Sequence, residues 1–202
     1  MNSNVYINRH NYKLFDNNIV VPADAEAHVD TVINCTPMQE PYEKFCILKL
    51  SNNKNDIKIK EFYLTRIFKN DRGLHMTAMA TAPLVYFIVY KHHYGAADIL
   101  SAGLHAGTVM AETLNLGLDI SIVGCTCPLS SKDQKKSRNL LIARFNNFDI
   151  TKYQEFPSLC LCIGKGIEPV PGIRLQSYKL SDESVVPYIN SFSERKPNIL
   201  LT

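Results

Sequence analysis

Residues 82–124 decide the fold: Ala82-Pro83-Leu84-Val85-Tyr86-Phe87-Ile88-Val89-Tyr90, a polar turn through His92 and His93, a long helix of small residues, then Ile120-Ser121-Ile122-Val123-Gly124. The run from Pro83 to Tyr90 shows no polar alternation and predicts a buried strand. Over 98–116 the small residues Ala102, Gly103, Ala106, Gly107 and Ala111 interleave with Ile99, Leu104, Val109, Met110 and Leu114. Without a broad charged face, that helix is expected to be buried all round. Gly117 stops it. A chain of 202 residues seldom covers such a helix by itself, so a second subunit is expected to cover part of it. Asp98, His105 and Glu112 interrupt the helix, whereas a membrane span needs about 20 unbroken apolar residues. The N-terminus lacks the basic-then-apolar order of a signal peptide. The expectation is a soluble, cytoplasmic protein with no membrane partner.

The length suggests one domain, 1–202, with an extended tail from about 165 that carries Pro169, Pro171, Pro187 and Pro197. The apolar share of 46% suits a globular chain. A net charge of +3, with both signs mixed along the chain, argues against a nucleic-acid partner. The densest basic run, 132–138, reads as a solvated loop or helix start rather than a phosphate-binding patch. Four of the six cysteines form two Cys-x-Cys pairs, Cys125/Cys127 and Cys160/Cys162. That spacing is tighter than zinc sites use. Cys160 and Cys162 lie in a strand-like run and read as small core hydrophobes. Disulfides are not expected without export. His92 and His93 are adjacent and point apart, so no metal ligands are expected.

Elsewhere, 5–15 reads as a short helix or turn. Pro22 opens a helix over 23–34 with Val29, Val32 and Ile33 on one face. A loop through Pro37 and Pro41 leads to a strand over 45–50. Residues 51–56 read as a polar hairpin-like turn and 57–68 as a further strand, from the alternation of Ile57 and Ile59. A helical turn is one reading of 74–80. A surface helix is expected over 134–145 and a strand over 159–163. Strands and helices alternate, and one helix is too apolar for a surface. This points to an α+β sandwich, a sheet with helices around it.

Chemistry concentrates near the N-terminus, in Arg9-His10-Asn11-Tyr12-Lys13-Leu14-Phe15. On a helical turn Arg9 and Lys13 are neighbours, and two cations so placed favour an anion between them. A helix, a Pro-containing loop (Thr36-Pro37-Met38-Gln39-Glu40-Pro41-Tyr42), the Ala82-Pro83 strand, Leu116-Gly117-Leu118-Asp119 and the strand end Ile163-Gly164 follow in order. Together these pieces resemble the nitroreductase family of flavin-dependent oxidoreductases, over most of the chain from about Asn8 to Arg174.

The resemblance implies a mostly antiparallel central sheet flanked by helices, in an intertwined homodimer with FMN at the interface. It places Arg9, His10, Asn11 and Lys13 around the flavin phosphate and ribityl chain. Pro37, Met38 and Gln39 would lie against the isoalloxazine ring from the second copy, and Val123 and Gly124 would offer backbone groups at the ring edge. Arg174 would complete the phosphate site, with Arg195 as the alternative; Asn70 or Arg72 is a further flavin contact. NAD(P)H would be the reductant and a small molecule, a nitroaromatic, a quinone or an unknown compound, the acceptor. No catalytic acid or nucleophile is required, because the flavin carries the chemistry. The chain departs from the pattern at Asn11, Glu40 and Tyr42 and in a shortened 36–42 loop. A degenerate flavin-binding or non-catalytic dimeric scaffold of the same fold is therefore the alternative. His105 is expected at the dimer seam or facing the flavin pocket.

Overall fold

A strand of seven apolar residues has no face to offer water, so both faces must be covered. Leu84–Tyr90 is that strand, and all seven residues are buried. The computed structural model describes residues 14–16, 18–36, 45–68, 77–124, 130–147, 149, 151–154 and 157–167, all within the unit Met1–Ile167. In chain order the elements are α1 (Ala23–Cys35), β1 (Phe45–Leu50), α2 (Lys54–Phe68), α3 (Thr77–Thr81), β2 (Leu84–Tyr90), α4 (Ala96–Asn115), β3 (Asp119–Gly124), α5 (Ser131–Arg144) and β4 (Leu159–Gly164). The strands lie in the order β1-β2-β4-β3, and every neighbouring pair is antiparallel. Leu50 faces Val85, Tyr86 faces Leu161, and Ile120 faces Ile163. β2 and β3 both run antiparallel to the β4 between them, so they are parallel to each other. α4 is the crossover that joins them.

Helices cover both faces. On one, Tyr86, Ile88, Leu161 and Ile163 pack against Val29 and Ile33 of α1 and Ala102, Ala106 and Val109 of α4. On the other, Tyr63 of α2 stands edge-on to Phe87, with ring centroids 5.3 Å apart, and shares a 2.6 Å hydrogen bond with Ser137 of α5. Met79 of α3 touches Cys160, sulfur to sulfur at 4.0 Å. Cys160 and Cys162 are fully buried, as expected of small core hydrophobes, and Cys35, Cys46, Cys160 and Cys162 form no disulfide. The arrangement is the expected sandwich of an antiparallel sheet between helices.

Two expectations are corrected. Residues 57–68 are not a strand but most of helix α2, and 51–56 is not a hairpin turn. Among its described side chains the buried ones are Asp56, Ile59, Lys60, Phe62 and Tyr63, the three-and-four spacing of a helix face. Asn53 starts the helix: its Oδ1 accepts the amides of Asn55 and Asp56, each at 3.0 Å. The Ile57/Ile59 alternation misled because Ile57 faces out. The second correction concerns α4, which is not buried all round: Ile99, Leu100 and Leu104 are 53%, 56% and 55% exposed.

The end of α4 follows from one residue. Gly117 takes a left-handed φ of 72°, with its amide on the Leu114 carbonyl at 3.0 Å and the Leu118 amide on Thr113 at 3.2 Å. This closes the helix in a Schellman motif and starts β3 two residues later.

Gly164, at the end of β4, is held for space. A Cβ there would lie 2.5 Å from Pro83 Cδ and 3.2 Å from Phe15 Cδ1. Gly164→Ala is expected to cost about 1–3 kcal/mol by overpacking, read as a lower denaturant midpoint at unchanged slope.

Candidate functional site

Four of the pieces that carry the resemblance, the end of the basic motif, Ala82-Pro83, the Leu116–Asp119 turn and Ile163-Gly164, meet in space. Phe15, the last residue of the basic N-terminal motif, bridges Gly166, and its amide donates to Thr81 Oγ1 at 3.0 Å. The Asp16 amide reaches the Lys165 carbonyl at 2.9 Å, and the Ile167 amide returns to Leu14 at 3.0 Å. Asp119, the first residue of β3, accepts the Gly166 amide at 2.8 Å. The end of the basic motif, the Ala-Pro entry to β2, the start of β3 and the Ile-Gly end of β4 thus form one junction, packed around Phe15, Pro83 and Gly164.

At the other end of β3, Val123 is buried and Gly124 is exposed, with open space where a Cβ would project. These two are the candidate flavin contacts that the described residues include. Arg9, His10, Asn11, Lys13, Pro37, Met38, Gln39 and Arg174 lie outside the described residues, as do Arg195, Asn70, Arg72, Glu40, Cys125 and Cys127. The exposed face of α4 carries Ile99, Leu100 and Leu104 around Gly103 and Gly107, and no described residue stands within 4 Å of a Cβ on either glycine. An apolar strip of this kind, with room for a close backbone, is suited to contact with another protein surface.

His105 sits in neither expected place. It is fully buried inside the chain, its ring 6.0 Å from that of Phe45 and nearly perpendicular to it. Burial lowers its pKa, against the pull of the Ile33 carbonyl, which favours a ring N–H. Neither ring nitrogen reaches full hydrogen-bond geometry with a described group. His92 and His93 are exposed in the turn before α4, as expected. Asp98 holds the start of α4 by accepting the Gly95 amide at 2.6 Å.

Sequence reasoning missed a buried charge cluster behind the junction. Lys60 is 1% exposed and donates to Asn52 Oδ1 at 3.0 Å and to the Ala82 carbonyl at 2.9 Å, just before Pro83. Burial pushes its pKa down to about 8, against the opposing pull of Cys162 and Asp56. Burial tends to raise the Asp56 carboxyl, but Arg144 and the Ser51 amide outweigh it and leave it lowered. The available signal was Asp56 and Lys60 at helical spacing on the face that carries Ile59 and Tyr63.

Between α1 and β1 runs a groove of about 380 Å³, with Asp30, Phe45, Lys49 and Tyr86 among its walls. Lys49 pairs there with Glu26 and Asp30, and Tyr86 donates to Asp30 at 2.7 Å. Burial pushes the Cys46 thiol beside it up to about 12, so it stays protonated. Among the described residues no group of three or more His, Cys, Asp or Glu could hold a metal. None of their helices is long and apolar enough to cross a membrane.

No protein-family model and no curated protein matches the sequence. Solved structures match by shape. A nitroreductase with bound FMN from Bacteroides fragilis superposes with a TM-score of 0.64 at 15% identity, over 92% of this chain and 100% of that one. This is the nitroreductase fold. An FMN-dependent nitroreductase from Clostridium difficile matches at 0.60 and 14% identity, over 82% and 88% of the two chains. A variant of an FMN- and NADPH-dependent nitroreductase from Sphigopyxis sp. strain HMH matches at 0.60 and 12%, over 86% and 94%. At such identities the nitroreductase fold is common ground and individual side chains are not.

The buried imidazole has a measurable consequence. A histidine whose folded pKa lies below its unfolded value stabilises fully above the unfolded pKa, and that stability is lost as pH falls. His105 is therefore expected to cost stability below about pH 6.5, by at most about 1.4 kcal/mol per pH unit. Denaturant titrations from pH 8 to pH 5 should show a steeper fall for the wild type than for His105→Gln; the difference isolates His105 from the exposed His28–Glu112 pair.

Proposed function

We propose that the chain is an FMN-dependent oxidoreductase that takes electrons from NAD(P)H and delivers them to a nitroaromatic, a quinone or another small electron-poor acceptor. The observation that carries this reading is the junction at Phe15, Pro83 and Gly164. It brings the ends of separate nitroreductase-like motifs together in a nitroreductase fold. The whole chain, 1–202, would act as one domain with an extended tail from about 165, in a homodimer.

The described residues fit a flat cofactor at the end of β3. Gly124 is exposed and uncharged, and among the described residues no neighbour fills the space its missing side chain leaves. The Val123 and Gly124 main chain would border the ring. Arg9 and Lys13, with Arg174, would hold the phosphate dianion by charge-assisted hydrogen bonds. His10 and Asn11 would supply neutral hydrogen bonds beside them. Pro37, Met38 and Gln39 of a second copy would close one face of the ring and exclude water. The redox chemistry, two electrons in from NAD(P)H and out to the acceptor, would be supplied by FMN when bound. One pocket used in turn by reductant and acceptor implies ping-pong kinetics.

The uncovered strip of α4 supports the dimer, since a second copy would bury Ile99, Leu100 and Leu104 and use the room at Gly103 and Gly107. Leu104→Glu is expected to shift the protein to monomer in sedimentation experiments. A Leu104→Glu protein that remains a dimer would remove this helix from the interface.

Purified protein incubated with FMN and desalted is expected to keep the flavin absorption bands and to oxidise NAD(P)H when an acceptor is added. Arg9→Ala combined with Lys13→Ala is expected to weaken FMN retention at least tenfold, the loss of about 1.4 kcal/mol or more from two charged hydrogen bonds. Full occupancy in that double variant would move the phosphate site elsewhere. A colourless wild type would favour the non-catalytic scaffold instead.

A further inference from the structure

α4 turns apolar side chains outward and polar ones inward. Ile99, Leu100 and Leu104 are exposed, whereas Asp98 is 3% exposed and Ser101 and His105 are fully buried. A polar group that gives up water without regaining a hydrogen bond is costly to the fold. Asp98 meets half of its need, since Oδ2 accepts the Gly95 amide at 2.6 Å. Its Oδ1, the Ser101 hydroxyl and both ring nitrogens of His105 are sealed from solvent and meet no hydrogen-bond partner among the described residues. Together with Thr113 Oγ1, these are the buried side-chain nitrogens and oxygens of the described residues that lack a partner, and all of them lie on α4.

Helix geometry puts three of these residues in one line. At about 100° per residue, Asp98 and His105 project about 20° apart, and Ser101 lies within about 60° of both. At about 1.5 Å per residue, the axial steps are about 4.5 Å from Asp98 to Ser101 and about 6 Å from Ser101 to His105. A direct hydrogen bond spans about 3 Å, whereas one small molecule bonded to two groups bridges about 5.5 Å. Thr113 stands about 12 Å beyond His105 along the axis and is outside the line.

The chemistry of the line selects the molecule. A carboxylate oxygen accepts, a hydroxyl donates and accepts, and a neutral imidazole has one donor and one acceptor. A bridge between such groups must donate and accept, and it must fit a close-packed interior. Water meets both conditions. A metal ion does not, because no group of three His, Cys, Asp or Glu stands together among the described residues. We propose that the inner face of α4 binds two internal waters, one bridging Asp98 Oδ1 to Ser101 Oγ and one bridging Ser101 Oγ to a ring nitrogen of His105. The waters supply the partners that the described side chains do not, as buried water does in other interiors. Aromatic rings border the line: Phe45 stands edge-on to His105 at 6.0 Å and to Tyr90 at 6.2 Å, and Tyr90 stacks on Tyr94 at 4.8 Å. Phe45 also lines the groove between α1 and β1, so the waters exchange with solvent past its ring. The site stands whether or not the chain binds flavin.

Oxygen-17 relaxation dispersion counts long-lived internal waters, and it is measured on the full chain for wild type, Ser101→Ala and His105→Phe. Thr108→Ala, on the exposed side of α4, is the control. Ser101→Ala and His105→Phe are each expected to lose at least one long-lived water, and Thr108→Ala none. The denaturant midpoint of Ser101→Ala is expected to stay level or fall. A dry line has the opposite signature: both variants keep the wild-type count, and Ser101→Ala raises the midpoint, because it removes a hydroxyl that had no partner. An unchanged count in both variants overturns the proposal. If neither variant folds, high-resolution diffraction from the wild type decides. Two water peaks within hydrogen-bond distance of Asp98, Ser101 and His105 support the site, and direct packing of protein atoms against all three sinks it.

Discussion

Everything in this chain is arranged around the need to cover β2 twice. A strand apolar on both faces can exist only as the middle of a sandwich, and the two helical layers follow from it. Tyr86 and Ile88 look to α1 and α4, while Phe87 looks to α2. The strand order β1-β2-β4-β3 keeps β2 inside the sheet, with β1 on one side and β4 on the other. Because the next strand in sequence, β3, lies beyond β4, the chain must cross a face of the sheet to reach it. α4 makes that crossing, and its inner side becomes core.

Much of this was readable before any coordinates. β2, β3, β4 and β1 came from apolar runs bounded by proline, glycine and polar turns, and α1 from Pro22 and the spacing of Val29, Val32 and Ile33. The misread element, α2, shows why local pattern fails. Its buried face includes Asp56 and Lys60, and a charged residue at a core position reads as a surface position unless its partners are known. Those partners, Arg144 and the Ala82 carbonyl, lie 88 and 22 residues away in sequence. The same limit applies to His105. Its neighbour Phe45 belongs to another element, so a one-dimensional reading looked for its place at the dimer seam or the flavin pocket. The candidate site was legible as an ordered set of motifs. What the structure adds is that the ends of four of these motifs share one junction.

Polar groups inside the sandwich serve mainly to fasten chain ends. Asp98 starts α4, and Thr81 receives the Phe15 amide. Lys60 performs the same service for the turn into β2. Each is a single side chain that meets main-chain groups with no partner in regular structure, which is where a buried hydrogen bond is most costly to lose.

Lys60 also bears on how the protein ages. Its ammonium is sealed from solvent, so electrophiles that acylate or glycate surface lysines cannot reach it in the closed state. A transient opening of the layer that covers it would present an ordinary amine. Acylation at that moment would remove the charge, add bulk, and leave a single N–H where the ammonium now donates to both Asn52 and the Ala82 carbonyl. The chain could not close again in the same way. Local opening would then act as a ratchet, each chemical hit at this one amine recording an excursion that cannot be reversed.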